Sequence, residues 1–250
     1  MEERRNRIVE LINQKGNISF TQLKEAFPNV SEMTLRSDLK ALDQEGRIIR
    51  IHGGSKSVDV VVGTDDLLGR RSGRNQEEKR LIAKKAVELI GNNRTVYLDS
   101  GSSTTALARS MKDEPCLIVT NSLSCAMELA RLEKPKVVFP GGVFNRYSMS
   151  MCGAQSIRSI QMINFDIMFL GVTSYSTECG FTCGIEEEAC LKQEAMKRAE
   201  RVVVLMDSSK IGFRHPFTIC GLEDIDVIIS DGKLPVGFQK ECRLAGVEIL

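Results

Sequence analysis

Four short runs hold most of the side chains in this sequence that could grip a charged or polyhydroxy ligand. They read Asp99-Ser-Gly-Ser-Ser-Thr-Thr105, Thr120-Asn121-Ser122, Pro140-Gly141-Gly142 and Asp207-Ser-Ser-Lys210. The first combines an acid, Asp99, a glycine, Gly101, and the hydroxyl residues Ser102, Ser103, Thr104 and Thr105. Three kinds of chemistry suit such a run: a serine nucleophile, a phosphate cradle, or a polar connection that only caps a helix. A nucleophile elbow needs a Gly-x-Ser-x-Gly spacing, which this run lacks, and neither His52 nor His215 stands in a recognisable triad context. A cradle needs a glycine so that backbone can approach the ligand. It then needs N–H and hydroxyl donors at a helix start, where the dipole favours an anion. Gly101 to Thr105 supply both, Lys210 supplies a counter-charge, and Asp99 with Asn121 can hold ligand hydroxyls.

The elements that must position these runs alternate along the chain. "TVYLD", "CLIVTN", "KVVFPGG", "FDIMFLGVT", "RVVVLMD", "DVIISD" and "VEIL" are short apolar runs of strand type. "TTALARSM", "SLSCAMELARL" and "EEEACLKQEAMKRAE" between them are helical. Continuous apolar strands separated by helices predict a mainly parallel sheet covered on both faces, so the fold class is α/β. Ligands of such sheets bind at the carboxyl ends of the strands, which is where the four polar runs fall. Any one of them alone is commonly a cap or a turn; their shared placement is what points to a phosphate and polyol site. A helix over "QEEKRLIAKKAVELIG" opens this half, with Leu81, Ala86, Leu89 and Ile90 expected near one face.

The first fifty-six residues have a different pattern. Ile8, Leu11 and Ile12 form one helical stripe. Ser19 with Gln22 reads as a capping box for a second helix that Pro28 closes. In a third, Ser31 is the N-cap, Glu32 suits the positive end of the dipole, and Leu35, Leu39 and Leu42 make a core stripe. Met33, Arg36, Ser37 and Lys40 share its opposite face. "GRIIRIHGGSKSV" then predicts a tight hairpin around Gly53, crowded by Arg47, Arg50, His52 and Lys56. Three helices and a basic hairpin predict a winged helix-turn-helix whose third helix enters the major groove of double-stranded DNA. Residues 57–74 lack a helical period and are expected to connect this domain to one spanning 75–250.

Bulk composition adds exclusions. The chain has 250 residues and a net charge of +1, so global charge announces no polyanion partner. The N-terminal fifty-six residues carry only +2, so charge distribution rather than total must do the work. No run is apolar enough to span a bilayer, and "MEERRNRIVELINQKG" lacks the apolar core of a secretory signal, so no membrane association and a cytoplasmic location are expected. None of the eight cysteines forms a CxxC pair; only Cys179, Cys183 and Cys190 lie close, and both histidines are distant, so no metal or other cofactor is expected.

"VSEMTLRSDLKALDQEGRIIRIHGG" resembles the N-terminal signature of the DeoR family of bacterial repressors. Thr34, Leu35, Arg36, Asp38 and Leu39 match within the helix, and Arg50, His52, Gly53 and Gly54 in the wing; Ser37 stands where the family usually has a second arginine. The resemblance continues through Asp99-Ser-Gly-Ser-Ser-Thr-Thr, Thr120-Asn121, Gly141-Gly142, Gly180-Phe-Thr, Glu187-Glu188-Ala189, Lys192 and Asp207-Ser-Ser-Lys210, while Cys183-Gly184-Ile185 departs from it. It implies a sensor domain related in fold to ribose-5-phosphate isomerase. The implied function is a regulator of a carbohydrate operon, most simply a repressor. Its operator DNA would be contacted by Ser31, Met33, Thr34, Arg36, Ser37, Lys40, Arg50, His52, Gly53 and Lys56. A phosphorylated sugar would bind among Asp99, Gly101 to Thr105, Asn121, Gly141, Gly142, Glu188, Lys192 and Lys210. The alternative is an isomerase-like enzyme, with Asp99, Glu188, Lys192 and Lys210 as its acid–base groups. Reading two half-sites further implies a homodimer or homotetramer.

Overall fold

The protein is described by a computed structural model covering residues 2–15, 17–51, 53–57 and 68–250. Two compact units divide between Val62 and Gly63.

In the first unit, α1 (Glu2–Lys15), β1 (Asn17–Ser19), α2 (Phe20–Ala26) and α3 (Glu32–Gln44) precede a hairpin of β2 (Ile48–Ile51) and β3 (Gly54–Ser57). The strands form an antiparallel sheet in the order β1-β3-β2. The capping box forms: the Gln22 N–H donates to Ser19 Oγ and the Ser19 N–H to Gln22 Oε1. Ile8, Ile12, Ile18, Leu23, Leu35, Leu39, Leu42 and Ile48 make its core. Gly54 carries no Cβ because one there would lie 2.3 Å from the Ile18 carbonyl oxygen, where β3 crosses close to β1.

Within the stretch expected to be only a connection, Ser57 ends β3 and α4 (Leu68–Gly73) is a helix of the second unit. After it come α5 (Gln76–Val87), β4 (Thr95–Leu98), α6 (Ser102–Ser110), β5 (Leu117–Thr120), α7 (Leu123–Leu129) and β6 (Lys136–Val138). β7 (Val143–Asn145) and β8 (Ser150–Cys152) pair antiparallel, followed by α8 (Ala154–Gln161) and β9 (Ile167–Gly171). β10 (Ser174–Ser176), β11 (Gly180–Cys183), α9 (Glu186–Met196), β12 (Val202–Leu205), β13 (Phe217–Cys220), β14 (Val227–Ile229), α10 (Val236–Leu244) and β15 (Glu248–Ile249) complete it.

The main sheet is parallel, in the order β15-β14-β12-β9-β4-β5-β6. Alternate strand residues explain the continuous apolar runs. Val96, Leu98, Ile118, Ile167 and Phe169 face a core shared with α5, α6 and α7. Tyr97, Val119, Met168 and Leu170 face one shared with α8, α9 and α10. Each such buried side chain contributes about 1.5–3 kcal/mol by leaving water. The α5 expectation holds at Ala86 and at Leu89 and Ile90, which pack against the same core, and is corrected at Leu81. Ile82, Ala83, Ala86 and Val87 are buried, Leu81 is exposed, and Leu89 and Ile90 lie past the helix end. The β10-β11-β13 antiparallel sheet has no counterpart in the sequence reading.

Strand order places the site. From β4 the chain steps to β5 and β6 on one side, then returns to β9 on the other. The crevice between the carboxyl ends of β4 and β9 is therefore the topological switch point, where open α/β sheets take their ligands.

Candidate functional site

On the first unit, α3 presents the expected face. Ser31 caps the helix, accepting from the Thr34 N–H at 3.1 Å, and its hydroxyl meets Thr34 Oγ1 at 2.8 Å; these two residues start the helix. Met33 is 83% exposed, and Arg36, Ser37 and Lys40 are exposed beside it. The Arg36 guanidinium lies 4.1 Å from the Phe20 ring centroid, a stacking that steadies the side chain outward. Arg50 is exposed on β2, and Gly53 turns the hairpin with φ +78. His52 and the Lys56 side chain lie outside the described residues. Asp38 does not belong to this face. It is 2% exposed and accepts from Arg4 Nε at 2.7 Å and Arg5 Nε at 3.0 Å, tying α3 to α1. Burial alone would raise its pKa, but the two guanidiniums overcome that and hold it below the ordinary value. The basic hairpin also loses a member: Arg47 pairs with Glu2 at 3.0 Å and donates to Asn6 Oδ1, partners distant in sequence.

In the second unit the crevice is lined by Ser100, Gly101, Ser102 and Ser103 from the β4–α6 turn, and Gly171 to Thr173 from the end of β9. Glu188 and Lys192 come from α9, Lys210 from the turn after β12, and Arg71 from α4. Gly101 takes φ +153, a conformation that favours glycine, and begins α6. Asp99 is 1% exposed beneath this turn. Its Oδ2 accepts from the Gly171 N–H at 2.9 Å and pairs with the Lys192 ammonium. Lys192 also donates to the Gly171 carbonyl at 3.1 Å. Burial works to lower the Lys192 pKa, and the Asp99 and Glu188 carboxylates outweigh it, so the ammonium stays charged. A Cβ at Gly171 would lie 2.9 Å from the Ser100 carbonyl oxygen, so only glycine lets β9 approach the turn.

Several buried polar atoms remain unused around this pocket. Asp99 Oδ1, Ser100 Oγ and Arg71 Nε have no hydrogen-bond partner among the described residues. Each such atom costs about 1–3 kcal/mol if it stays unsatisfied, so their clustering marks a place for ligand or water.

The expected residues sort into three groups. Ser102, Ser103, Gly101, Glu188, Lys192 and Lys210 come together at the pocket, with Asp99 directly below. Thr104 and Thr105 turn their hydroxyls back to the Gly101 carbonyl at 2.9 and 2.7 Å, and Asn121 bridges Tyr97 and Met151. These three support the turn and its neighbour strand. Gly141 and Gly142 are not brought to the pocket: a Cβ on Gly142 would lie 2.2 Å from Ser156 Oγ, and Ser156 donates to the Gly141 carbonyl at 2.7 Å. Those glycines let the β6–β7 connection pack on α8. The sequence reading passed over Ser100, Gly171 and Arg71; the "GVT" strand end was the available signal for Gly171. Of the close cysteines, Cys183 is buried and Cys190 exposed, and among the described residues no cluster of His, Cys, Asp or Glu could hold a metal.

A winged helix with an exposed cationic face, carried on one chain with a polar, cation-lined pocket at a sheet switch point, defines the class: a DNA-binding ligand sensor. Residues 4–61 match the DeoR-like helix-turn-helix domain, and residues 74–232 match the DeoR C terminal sensor domain. The chain belongs to the DeoR family of transcriptional regulators. It is 36% identical to the HTH-type transcriptional regulator GlpR of Haloferax volcanii, covering 99% of this chain and 96% of that one. It is 34% identical to a putative aga operon transcriptional repressor of Escherichia coli O157:H7, covering 99% and 93%. These full-length relatives are named as regulators, not enzymes. Among solved structures, ribose 5-phosphate isomerase of Methanocaldococcus jannaschii is similar at 20% identity over 55% of each chain, with a TM-score of 0.41. A likeness at that level carries no argument about activity.

Proposed function

We propose that this regulator represses a sugar or carbohydrate catabolic operon and that a phosphorylated sugar, bound at the β4–β9 crevice, modulates its hold on operator DNA. The single observation carrying the ligand assignment is the pocket itself. The start of α6, Lys192, Lys210 and Arg71 converge there, and Asp99 Oδ1 and Ser100 Oγ are buried beside them with no partner among the described residues. A helix N-terminus with cations around it suits a phosphate dianion, and an acid with hydroxyls suits a polyol. The names of the relatives, an aga operon repressor and a lactose phosphotransferase system repressor of Staphylococcus epidermidis among them, support carbohydrate control here.

On the DNA side, Met33, Arg36, Ser37 and Lys40 read the groove, Ser31 and Thr34 seat the helix start against the backbone, and Arg50, His52, Gly53 and Lys56 form the wing contact. Two half-sites call for a homodimer or homotetramer, and Val143, Phe144 and Tyr147 offer exposed apolar surface on the second unit. Among the described residues no helix is long and apolar enough to cross a membrane; the operator-bound protein works in the cytoplasm.

A thermal-shift screen of the full chain against phosphorylated sugars tests the ligand. A ligand held at 100-fold excess over its Kd should stabilise the protein by about 2.7 kcal/mol and be recovered unchanged. Failure of every sugar phosphate to shift the transition, or its chemical conversion, would sink the reading.

A further inference from the structure

The effector reading does not require anything of α4, yet α4 is built into the pocket wall. Arg71, at the middle of this short helix, lines the crevice with Ser102, Ser103 and Lys210. Its Nε is buried without a hydrogen-bond partner among the described residues, although a guanidinium is a rigid fork suited to two oxygens of one anion. Among the described residues that line the pocket, Arg71, Lys192 and Lys210 are cationic and Glu188 is acidic, with the Asp99 carboxylate directly below. Lys192 is already committed to Asp99, and Arg71 is the cation whose buried Nε is placed to answer an incoming charge.

The backbone of α4 is held from below. Lys79, only 5% exposed, sends its ammonium to the carbonyls of Arg71 and Arg74. The Leu68 N–H donates to the Tyr147 carbonyl at 2.8 Å, at the other end of the helix. These anchors hold the helix backbone, and among its described side chains Arg71 lines the pocket. In the chain, α4 is the first described element after the wing strand β3, with only residues 58–67 between them.

Resting on the effector reading above, we infer that Arg71 is a direct ligand of the effector's phosphate, and that α4 is thereby the element through which pocket occupancy reaches the segment leading to the DNA-binding unit. A regulator needs such a link, because a ligand shifts an equilibrium only by contacts that differ between its states. The α6 turn alone would bind an anion equally well whatever α4 did. An arginine supplied by α4 makes tight binding conditional on α4 being in place.

The test uses the full chain and inorganic phosphate as the probe, at constant ionic strength. Affinity is read from the phosphate dependence of the thermal midpoint, and order in α4 from amide hydrogen exchange over residues 68–73. Arg71→Gln should weaken phosphate binding by about tenfold or more, the loss expected for one charge-assisted contact, and Arg71→Lys by less. At saturating phosphate, Arg71→Gln should show protection at residues 102–105 but no phosphate-dependent protection of residues 68–73. Arg80→Gln, on an exposed side chain, controls for loss of charge. Wild-type affinity and wild-type α4 protection in Arg71→Gln, with binding lost in Ser103→Glu, overturn this inference and leave the effector site standing. Wild-type affinity in Ser103→Glu overturns the effector site and the inference with it, as does a wild-type protein that never responds to phosphate.

Discussion

Each unit buries a carboxylate paired with basic side chains, Asp38 in the first and Asp99 in the second, and the two are treated differently. Asp38 has both oxygens engaged, one by Arg4 and one by Arg5, and no atom of it remains to meet a ligand. Asp99 has one oxygen engaged twice, by Gly171 and Lys192, while the other is buried and unmatched among the described residues. The same contrast holds for the units as wholes. The winged helix turns its contact set, Met33, Arg36, Ser37 and Lys40, out to solvent over a closed apolar core. The sensor folds its set, Asp99, Ser103, Glu188 and Lys192, inward to a crevice. A groove reader must reach a partner larger than itself, so its contacts project. A small-molecule sensor must surround its partner, so its contacts are buried and their satisfaction waits on the ligand. A saturated buried acid is then architecture, and a half-saturated one is a site.

The largest expected effect lies at the half-saturated acid. Lys192→Met leaves Asp99 buried without its cation and should cost about 3–5 kcal/mol in urea unfolding of the full chain. Adding Asp99→Asn should recover much of the loss, because the uncompensated charge goes with it. A single variant as stable as wild type would dissolve the distinction between the two acids. Ser103→Glu comes next. Placing a carboxylate at the α6 start should reduce sugar-phosphate affinity by about a hundredfold or more through lost charge-assisted bonds and repulsion, while DNA binding persists. If the ligand response survives, the inward-facing set is not the site.

Asp38→Ala should cost roughly 2–3 kcal/mol, somewhat less than a fully buried pair because Arg4 and Arg5 are partly exposed. It should show as lost amide protection in residues 2–57 with the sensor unaffected. Because the folded pKa of Asp38 lies below its unfolded value near 3.8, its stabilisation is complete above that value and disappears as pH falls through the folded one. Acid should therefore loosen the winged unit of the wild type more than that of Asp38→Asn. Arg36→Ala removes an outward contact and should weaken specific DNA binding by about 1–3 kcal/mol, measured by anisotropy on fragments selected from a random pool by the wild type. Unfolding should be unchanged, since the side chain is mostly exposed.

The smallest effect concerns Lys79. Its burial, and then the nearby Lys210, bring its pKa down to about 8. Between that value and the 10.5 of an exposed lysine, the folded protein has released a proton that the unfolded chain keeps, so this contribution to stability rises with pH. Lys79→Met should flatten that rise above pH 8 in a series of unfolding curves. An unchanged slope would mean that Lys79 carries no desolvated charge.

Local chemistry was legible in the sequence because it is written within a few residues. The Ser19–Gln22 capping box, the Ser31 cap, the leucine stripe of α3 and the continuous apolar strands each follow from spacing and side-chain type. So does the glycine–hydroxyl turn at 101–103, whose backbone conformation and helix start need no distant partner. What only the tertiary structure decided is adjacency. Nothing in β4 or β9 states that they are neighbours, yet that pairing brings the Gly171 N–H to Asp99 across 72 residues and makes the crevice. The same packing carries Gly141 and Gly142 off to α8, takes Arg47 from the wing to Glu2, and sets Arg71 in the pocket wall. Parallel strands accept many orders with the same apolar pattern, because ladder hydrogen bonds come from the backbone and are alike in every strand. The order is chosen by how both faces of the whole sheet are covered, and that choice is a property of the fold rather than of any one run of residues.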